Sequence, residues 1–267
     1  MPAADFPGTT LMQATLDLNC DMGESYGAWR MGDDEAVLPH VTSANIACGF
    51  HGGDPGTLRV TVAAALAHGV AIGAHPGLPD LAGFGRRAMQ VSPAEAYDMV
   101  VYQIGALAGV AAAQGARLHH VKAHGALYNM AARDPALAQA LCRAVRDVDP
   151  SLRLYALAGS EMLRAAAELG LQADSEVFCD RSYQDDGTLT PRGRPGAMIE
   201  DADTAVAQAL RMAREGVVRA QSGKDVPVRA GTLCIHGDQP GAARFAVRLR
   251  EAMAAAGIAL RAPGPGR

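Results

Sequence analysis

Short apolar runs alternate along the chain with longer, alanine-rich amphipathic stretches. Runs of about four to eight apolar residues are typical of buried strands, whereas apolar positions that recur about every three to four residues are typical of helices. The pattern predicts strands at Thr15–Cys20, Ala44–Gly49, Ala71–Ala74, Leu118–Ala123, Leu152–Leu157, Glu176–Cys179 and Thr232–Ile235.

Start and stop signals bound the predicted helices. Ser92-Pro93-Ala94-Glu95 is a capping box with proline at the first helical position, and it predicts a helix that runs to Gly115. Asp-Pro pairs predict further helix starts, and glycines predict helix ends in the left-handed conformation. The remaining predicted boundaries are Asp54-Pro55 to Gly69, Asp134-Pro135 to Val145, ends at Gly170 and Gly216, and a last helix from about Gly241 to Gly257.

A strand followed by a helix, repeated along the chain, predicts parallel strands joined by right-handed crossovers. Such strands form either a closed barrel or an open doubly wound sheet. Charged and imidazole side chains follow nearly every predicted strand, which favours a barrel because an open sheet concentrates its site at one switch point. We expect one α/β barrel domain over residues 1–267, with 1–14 and 262–267 as loose termini.

Composition narrows the class of protein. The chain has 267 residues, of which 49% are hydrophobic, and a formal net charge of -4, which argues against a nucleic-acid or membrane-surface partner and favours a small soluble substrate. Its five cysteines form no C-x-x-C pair, and the N-terminal segment lacks the pattern of a signal peptide. We therefore expect a cytoplasmic protein.

The first predicted strand places Asp17, Asn19 and Asp21 on one face, because side chains alternate along a strand. Buried carboxylates need a cation, a Lys or Arg partner or a shared proton. These residues therefore indicate a site inside the barrel, although an aspartate at a strand end can also simply accept hydrogen bonds from loop amides.

The second and third strands bring further candidates. Asn45 and His51 share a face with small residues, which we interpret as room for a ligand above them, and His75 ends the next strand. The glycine-rich loop that follows contains Arg86 and Arg87, which could bind phosphate or carboxylate or form a solvated surface pair. We favour the surface interpretation for Arg87.

The fourth strand alternates His120, Lys122 and His124 onto one face. A lysine inside a barrel needs a partner, and Asp21 or Asp17 is the expected one. Lysine could bind phosphate or an oxyanion while histidine acts as acid or base. A purely structural Lys–Asp pair is the alternative.

Two later segments add candidates for binding an anionic substrate. Arg181 lies before a long loop, and His236 and Asp238 follow the last strand on one face. A carboxylate could orient the histidine, but the spacing alone does not establish a contact. The full set of proposed substrate- or phosphate-binding residues is Asn19, Asn45, His75, Arg86, Arg181, His236 and Asp238.

Metal and nucleotide signals differ in strength. Asp21, His51 and His75 are the first candidates for a divalent metal site, which His124 and His236 could complete, but their spacing matches no compact metal motif. The chain contains neither a P-loop motif nor a strand-linked G-x-G-x-x-G, so any nucleotide must be held without them.

Several long stretches resemble the LamB/YcsF family of 5-oxoprolinase A subunits. They occur in family order: DLNCDMGES (17–25), NIACGFHGGDP (45–55), GAHPGLPD (73–80), GFGRR (83–87), VKAHGALYN (121–129), EVFCDRSYQDDGTL (176–189) and CIHGDQP (234–240). The chain has Ala123 where the family usually has proline, and Gly52 where it often has alanine. Neither difference removes a functional side chain.

The resemblance implies an irregular seven-stranded β/α barrel related to glycoside hydrolases and polysaccharide deacetylases. It also implies ATP-dependent opening of 5-oxo-L-proline to L-glutamate with partner subunits B and C. Lys122 and Arg181 would then neutralise phosphate and the substrate carboxylate. Asp21 with His51 or His124 would move protons or position a metal.

Two other functions remain open at this point. One is a metal-dependent, deacetylase-like amidase that works without ATP. The other is a non-catalytic subunit that binds the lactam. Release of ADP together with glutamate would exclude the first, and loss of activity in an assembled complex on changing Lys122 or Asp21 would exclude the second.

Overall fold

The computed structural model describes residues 15–237 and 241–264, and its centre is a closed barrel of seven parallel strands. The first barrel strand pairs with both the second and the last, which closes the sheet and confirms the barrel over the open alternative. In chain order the strands are β1 (Thr15–Met22), β2 (Ser43–Ala47), β3 (Ala71–His75), β4 (His120–Lys122), β5 (Arg153–Leu157), β6 (Ala173–Phe178), β7 (Val217–Arg219), β8 (Asp225–Pro227), β9 (Thr232–His236) and β10 (Ala259–Leu260). The barrel uses β1 to β6 and β9.

Helices surround the barrel, and the predicted caps form. Ser92 and Glu95 make the reciprocal capping box, and Asp54 caps the helix that follows it. Gly170 and Gly216 end helices in the left-handed conformation, as expected. The helices are α1 (Asp34–Val37), α2 (Pro55–Ala67), α3 (Pro93–Ala112), α4 (Gly125–Ala131), α5 (Pro135–Val148), α6 (Glu161–Leu169), α7 (Ala202–Glu215) and α8 (Ala242–Ala255), with a 3-10 turn at Leu38–His40.

The two faces of β1 show how the barrel is filled. Leu16, Leu18 and Cys20 are buried under the helices, as the alternation predicts. Asp17 and Asn19 point into the barrel, where they are equally buried. The interior of this barrel is therefore a hydrogen-bonded polar network rather than an apolar core.

Asp17 belongs to the lower part of that interior. Its carboxylate accepts hydrogen bonds from the hydroxyls of Thr42, Ser43 and Thr232 at 2.6 to 2.7 Å. Burial raises the pKa of Asp17 and these hydrogen bonds only partly oppose the rise. Two aspartates, Asp17 and Asp21, were expected as partners of Lys122. In the described part of the chain Lys122 pairs with Asp21 and not with Asp17.

Some strands were not predicted from the sequence pattern. β7 and β8 form an antiparallel hairpin outside the barrel, and β10 pairs in parallel with the first residues of β1. The hairpin strands are three residues each, which is too short for a clear alternation. Within the described ranges no helix is long and apolar enough to cross a membrane. The division into one domain with loose termini stays a prediction, since residues 1–14 and 265–267 lie outside the described part of the chain.

Candidate active site

A cavity of about 430 Å³ opens at the carboxyl ends of the barrel strands. Asp21 and Lys122 form part of its polar floor, together with His75 and His124. The loops after the strands form its walls. This is the end at which parallel barrels place their sites, because the strand-to-helix loops converge there.

Lys122 is the centre of the polar floor. Its Nζ atom lies 2.9 Å from Oδ1 of Asp21 and 2.9 Å from Oε1 of Glu176. Nζ also donates to Oδ1 of Asn19 at 3.2 Å and lies 3.1 Å from Sγ of Cys234. Burial lowers the pKa of Lys122, but Asp21 and the other negative groups outweigh this and hold it well above its ordinary value. The side chain is a buried, charged ammonium.

Asp21 reaches from this network into the cavity. Its Oδ2 atom lies 3.3 Å from Nε2 of His75, while Oδ1 faces Lys122 and accepts from the Asn45 amide at 2.8 Å. Burial raises the pKa of Asp21, yet the charges of His75 and Lys122 outweigh it and place the pKa well below its ordinary value. Asp21 is therefore a carboxylate at neutral pH.

His75 and His124 face each other, and one ring nitrogen of each contacts a backbone carbonyl oxygen. Nδ1 of His75 lies 2.7 Å from the carbonyl oxygen of Lys122, and Nε2 of His124 lies 2.8 Å from that of Phe84. A carbonyl oxygen only accepts, so each of these nitrogens donates a proton to it. The two opposite nitrogens, His75 Nε2 and His124 Nδ1, lie 3.0 Å apart.

His51 lies beside this pair. Its ring stacks on the ring of His124 with the planes parallel and the centroids 3.7 Å apart. Burial lowers the pKa of both His51 and His124 well below the ordinary value, so both are neutral imidazoles. Neither ring nitrogen of His51 has a hydrogen-bond partner among residues 15–237 and 241–264.

Glycines let the His51 ring fit. A Cβ on Gly77 would lie 2.5 Å from Nδ1 of His51, and one on Gly85 would lie 2.8 Å from its Cβ. Gly85 also has a φ of +62°, which glycine adopts without strain. Gly77 and Gly85 therefore make the room that the imidazole ring occupies.

Glu24 is the carboxylate nearest to these histidines. Its Oε1 atom lies 3.4 Å from Nε2 of His51 and 3.4 Å from Nδ1 of His124. Only 7% of Glu24 is exposed. Glu24, His51, His75 and His124 offer ligand atoms that all lie within 4.8 Å of one another, so this cluster could hold a metal ion.

Arginines surround the cavity above this floor. Arg181 is buried, and its guanidinium donates to the carbonyl oxygens of Thr190 and Ala197 at 2.6 and 3.2 Å. Burial, with a contribution from Arg192, lowers the pKa of Arg181 to about 10, so it stays charged at neutral pH. The arginines that line the cavity are Arg86, Arg133, Arg181 and Arg192.

His236 is oriented by a carboxylate from the segment that follows the neighbouring strand β6. Its Nδ1 atom lies 2.8 Å from Oδ2 of Asp180, and its backbone N–H donates to the same carboxylate oxygen at 3.2 Å. Asp238, the partner that the sequence suggests, lies outside the described residues. His236 lines the cavity, on the side next to Phe178.

Asn19 and Asn45 lie beneath the cavity. The Asn45 amide donates to Oδ1 of Asn19 at 2.7 Å, and Asn19 donates to Glu176 and Thr232. Both asparagines are fully buried and neither lines the cavity. They connect Asp21 and Lys122 to the barrel wall, which suits a positioning role.

The comparisons with known proteins agree with this geometry. The family model of the LamB/YcsF family matches residues 16–265. The chain belongs to the LamB/YcsF family. It is 70% identical over 251 residues to a Bordetella pertussis protein named as the A subunit of 5-oxoprolinase, covering 94% of this chain and 100% of that protein. A Bacillus subtilis protein of the same name is 58% identical over 247 residues, with 92% and 96% covered.

A solved structure shows the same fold. The crystal structure of a lactam utilization protein from Thermus thermophilus superposes with a TM-score of 0.88 at 51% identity, covering 93% of this chain and 100% of that one. The fold is therefore shared with that protein.

Three acidic residues of the site were missed by the sequence analysis: Glu24, Glu176 and Asp180. Glu176, Phe178 and Asp180 alternate on one face of β6 and its extension, which would have placed both carboxylates toward the interior. Glu24 follows β1 in a loop, where alternation no longer predicts direction. Its proximity to His51 and His124 depends on the three-dimensional course of that loop.

Proposed function

We propose that the protein is the A subunit of a cytoplasmic 5-oxoprolinase. With partner subunits B and C it would cleave 5-oxo-L-proline to L-glutamate, coupled to hydrolysis of ATP to ADP and phosphate. Two observations support the proposal: relatives over nearly the whole chain are named as A subunits of 5-oxoprolinase, and a solved family member is called a lactam utilization protein.

The observation that most directly supports this chemistry is the charge arrangement of the cavity. Its floor holds Asp21, ionised and paired with Lys122, and its walls hold four arginines. 5-Oxo-L-proline has one carboxylate and one lactam amide. The arginines suit the carboxylate and a phosphoryl group, and the floor suits proton transfer at the amide.

ATP would solve a chemical problem of the lactam. The amide carbon is a poor electrophile, its nitrogen is a poor leaving group, and a five-membered ring recloses readily. Transfer of the γ-phosphoryl group to the lactam oxygen releases ADP and activates the carbon. One water then adds to that carbon, the C–N bond breaks to leave an acyl phosphate, and a second water releases phosphate and glutamate.

We assign the residues roles that follow from their contacts. Asp21 would accept a proton from the attacking water, since it is ionised and reaches the cavity. His124, a neutral imidazole that lines the cavity, would move the proton to the departing nitrogen when no metal occupies the cluster. Lys122 would hold Asp21 ionised and offset negative charge that develops on the substrate.

The arginine walls would bind the anionic groups. Arg86 is positioned for this role by its contact with Phe84, whose ring centroid lies 4.8 Å from the guanidinium carbon. Arg181 would act from the opposite loop, which its own hydrogen bonds hold in place. His75 and His236 would orient Asp21 and the substrate, and Asn19 and Asn45 would support the floor.

The test is a product assay. Release of ADP and glutamate from 5-oxo-L-proline is measured with subunits B and C, with and without this chain. The proposal predicts coupled release of both products only in the complete set. Equal release without this chain, or none in the complete set, would contradict it.

A second candidate is amide hydrolysis that depends on a metal and not on ATP. The cluster of Glu24 with His51, His75 and His124 favours it, because carboxylate and imidazole are common ligands of catalytic metals. Hydrolysis of 5-oxo-L-proline by this chain without nucleotide, abolished by a chelator, would support this candidate over the first.

A further inference from the structure

The four-residue cluster poses a charge problem at its centre. Backbone carbonyls take the protons of His75 Nδ1 and His124 Nε2, so the opposite nitrogens face each other across 3.0 Å, and their lone pairs repel unless a proton or a metal ion lies between them. The Oε1 atom of Glu24 approaches His124 Nδ1 to 3.4 Å and adds negative charge. A proton or a metal ion between the two histidine nitrogens would remove the repulsion between them.

A proton on His75 would remove the repulsion between the two facing nitrogens but would leave His51 without a partner. The His75 Nε2–H could donate to His124 or to Asp21, whose Oδ2 atom is 3.3 Å away. His51 would still be fully buried with neither ring nitrogen hydrogen-bonded within the described ranges, and a buried polar group without a partner is unfavourable. A single cation that binds His51 as well would satisfy all of these groups.

The distances fit a metal ion. For Zn–N bonds of about 2.0–2.1 Å in a tetrahedral site, neighbouring ligand atoms lie about 3.4 Å apart. Glu24 Oε1 lies 3.4 Å from His51 Nε2 and 3.4 Å from His124 Nδ1, and the two facing histidine nitrogens are 3.0 Å apart. Imidazole and carboxylate together suit Zn²⁺ and its first-row neighbours rather than Ca²⁺ or Mg²⁺.

We propose that Glu24, His51, His75 and His124 bind one divalent first-row transition metal, with Zn²⁺ as the first probe. Asp21, through its contact with His75, is positioned to orient that ligand. Glu24, His75 and His124 line the same cavity as the proposed substrate site, where a bound cation would polarise a carbonyl or phosphoryl oxygen. Only this use of the metal rests on the proposed function; binding itself does not.

Metal binding is tested on the untagged full-length chain without substrate or partner subunits. The protein is stripped with a chelator, dialysed against Zn²⁺ and analysed for bound metal. We expect about one ion per chain, and an intense visible spectrum typical of four-coordinate Co²⁺ when cobalt is used instead. Wild-type protein that retains no ion would overturn the proposal, and would leave the nucleotide-dependent function untouched.

Variants locate the site. Glu24→Gln and His124→Gln keep the side-chain size close to the original but remove ligand strength, and each should weaken zinc affinity at least about tenfold. His68→Gln, at the exposed histidine that follows the last residue of α2 and whose Nδ1 contacts that helix, is the matched control and should bind zinc as the wild type does. Unchanged affinity in both cluster variants would overturn the assignment. Circular dichroism identifies an unfolded variant, in which case the other one decides.

Discussion

The ammonium of Lys122 lies 2.9 Å from Asp21 and at the same distance from Glu176. One buried cation thus compensates two carboxylates that come from strands at different positions in the barrel. The positive charge of Lys122 helps to keep Asp21, the proposed base, ionised. Because Lys122 lies at the candidate site, the stability of the barrel also depends on a residue of that site.

Replacing Lys122 by methionine should strongly destabilise the protein. The change leaves Asp21 and Glu176 buried without their cation, and breaking a buried pair in this way costs about 3–5 kcal/mol. Urea unfolding measures the loss. Adding Glu176→Gln to Lys122→Met should recover part of it, because one uncompensated carboxylate is removed. A double variant as unstable as the sum of the single changes would contradict the coupling.

Replacing Arg86 by lysine should weaken binding of the substrate. The planar guanidinium can form two parallel hydrogen bonds with a carboxylate or phosphate, which an ammonium cannot. Loss of one charge-assisted hydrogen bond corresponds to about a tenfold rise in KM for 5-oxo-L-proline. Arg87→Lys is the matched control, since Arg87 is exposed and pairs with Asp80 outside the cavity. Equal KM values for the two variants would argue against Arg86 as a ligand.

The protein should lose stability as the pH falls from about 7 to about 5, in part because of His120. Burial, with a contribution from His119, lowers the pKa of His120 well below its ordinary value. Below about pH 6.5 the unfolded chain therefore binds a proton that the folded chain does not, and unfolding becomes easier. In His120→Gln the slope of unfolding free energy against pH should fall by up to about 1.4 kcal/mol per pH unit. Identical slopes would contradict this.

Gly77→Ala should lower turnover, whereas Gly105→Ala should raise the stability of the fold. At Gly77 the new Cβ would displace the His51 ring, so turnover should fall. At Gly105, in the middle of α3, nothing lies within 4 Å of an added Cβ. There the substitution should raise the unfolding free energy by about 0.5–1 kcal/mol, because alanine favours a helix. Thermal unfolding measures the stability of Gly105→Ala, and the coupled assay measures the turnover of Gly77→Ala. Normal turnover of Gly77→Ala would show that activity does not depend on the position of the His51 ring.

The fold was predictable because its signals are local. Capping residues such as Ser92 and helix-ending glycines such as Gly170 act within one turn of helix, and they place the predicted boundaries within a few residues of those observed. The alternation along β1 likewise predicts which side chains enter the barrel. It does not predict their depth, so Asp17 and Asp21 appeared equivalent although only Asp21 reaches the cavity.

The site was predictable only in part, because its contacts join distant segments. Sequence spacing brought His75, Lys122 and His124 to the carboxyl ends of neighbouring strands. It could not show that Asp180 faces His236, because that contact joins the segment after β6 to the end of β9. Nor could it place Glu24, whose loop folds back over the histidines.

The role of Asp21 is the central claim, and an Asp21→Asn variant tests it most directly. The variant is assembled with subunits B and C, assembly is confirmed by size-exclusion chromatography, and release of glutamate and ADP from 5-oxo-L-proline is measured. Asp98→Asn, at an exposed aspartate of α3, is the control. We predict that Asp21→Asn assembles normally but loses at least about a hundredfold in glutamate release, while the control keeps full activity. Glutamate release near the wild-type rate from the assembled Asp21→Asn complex would contradict the account.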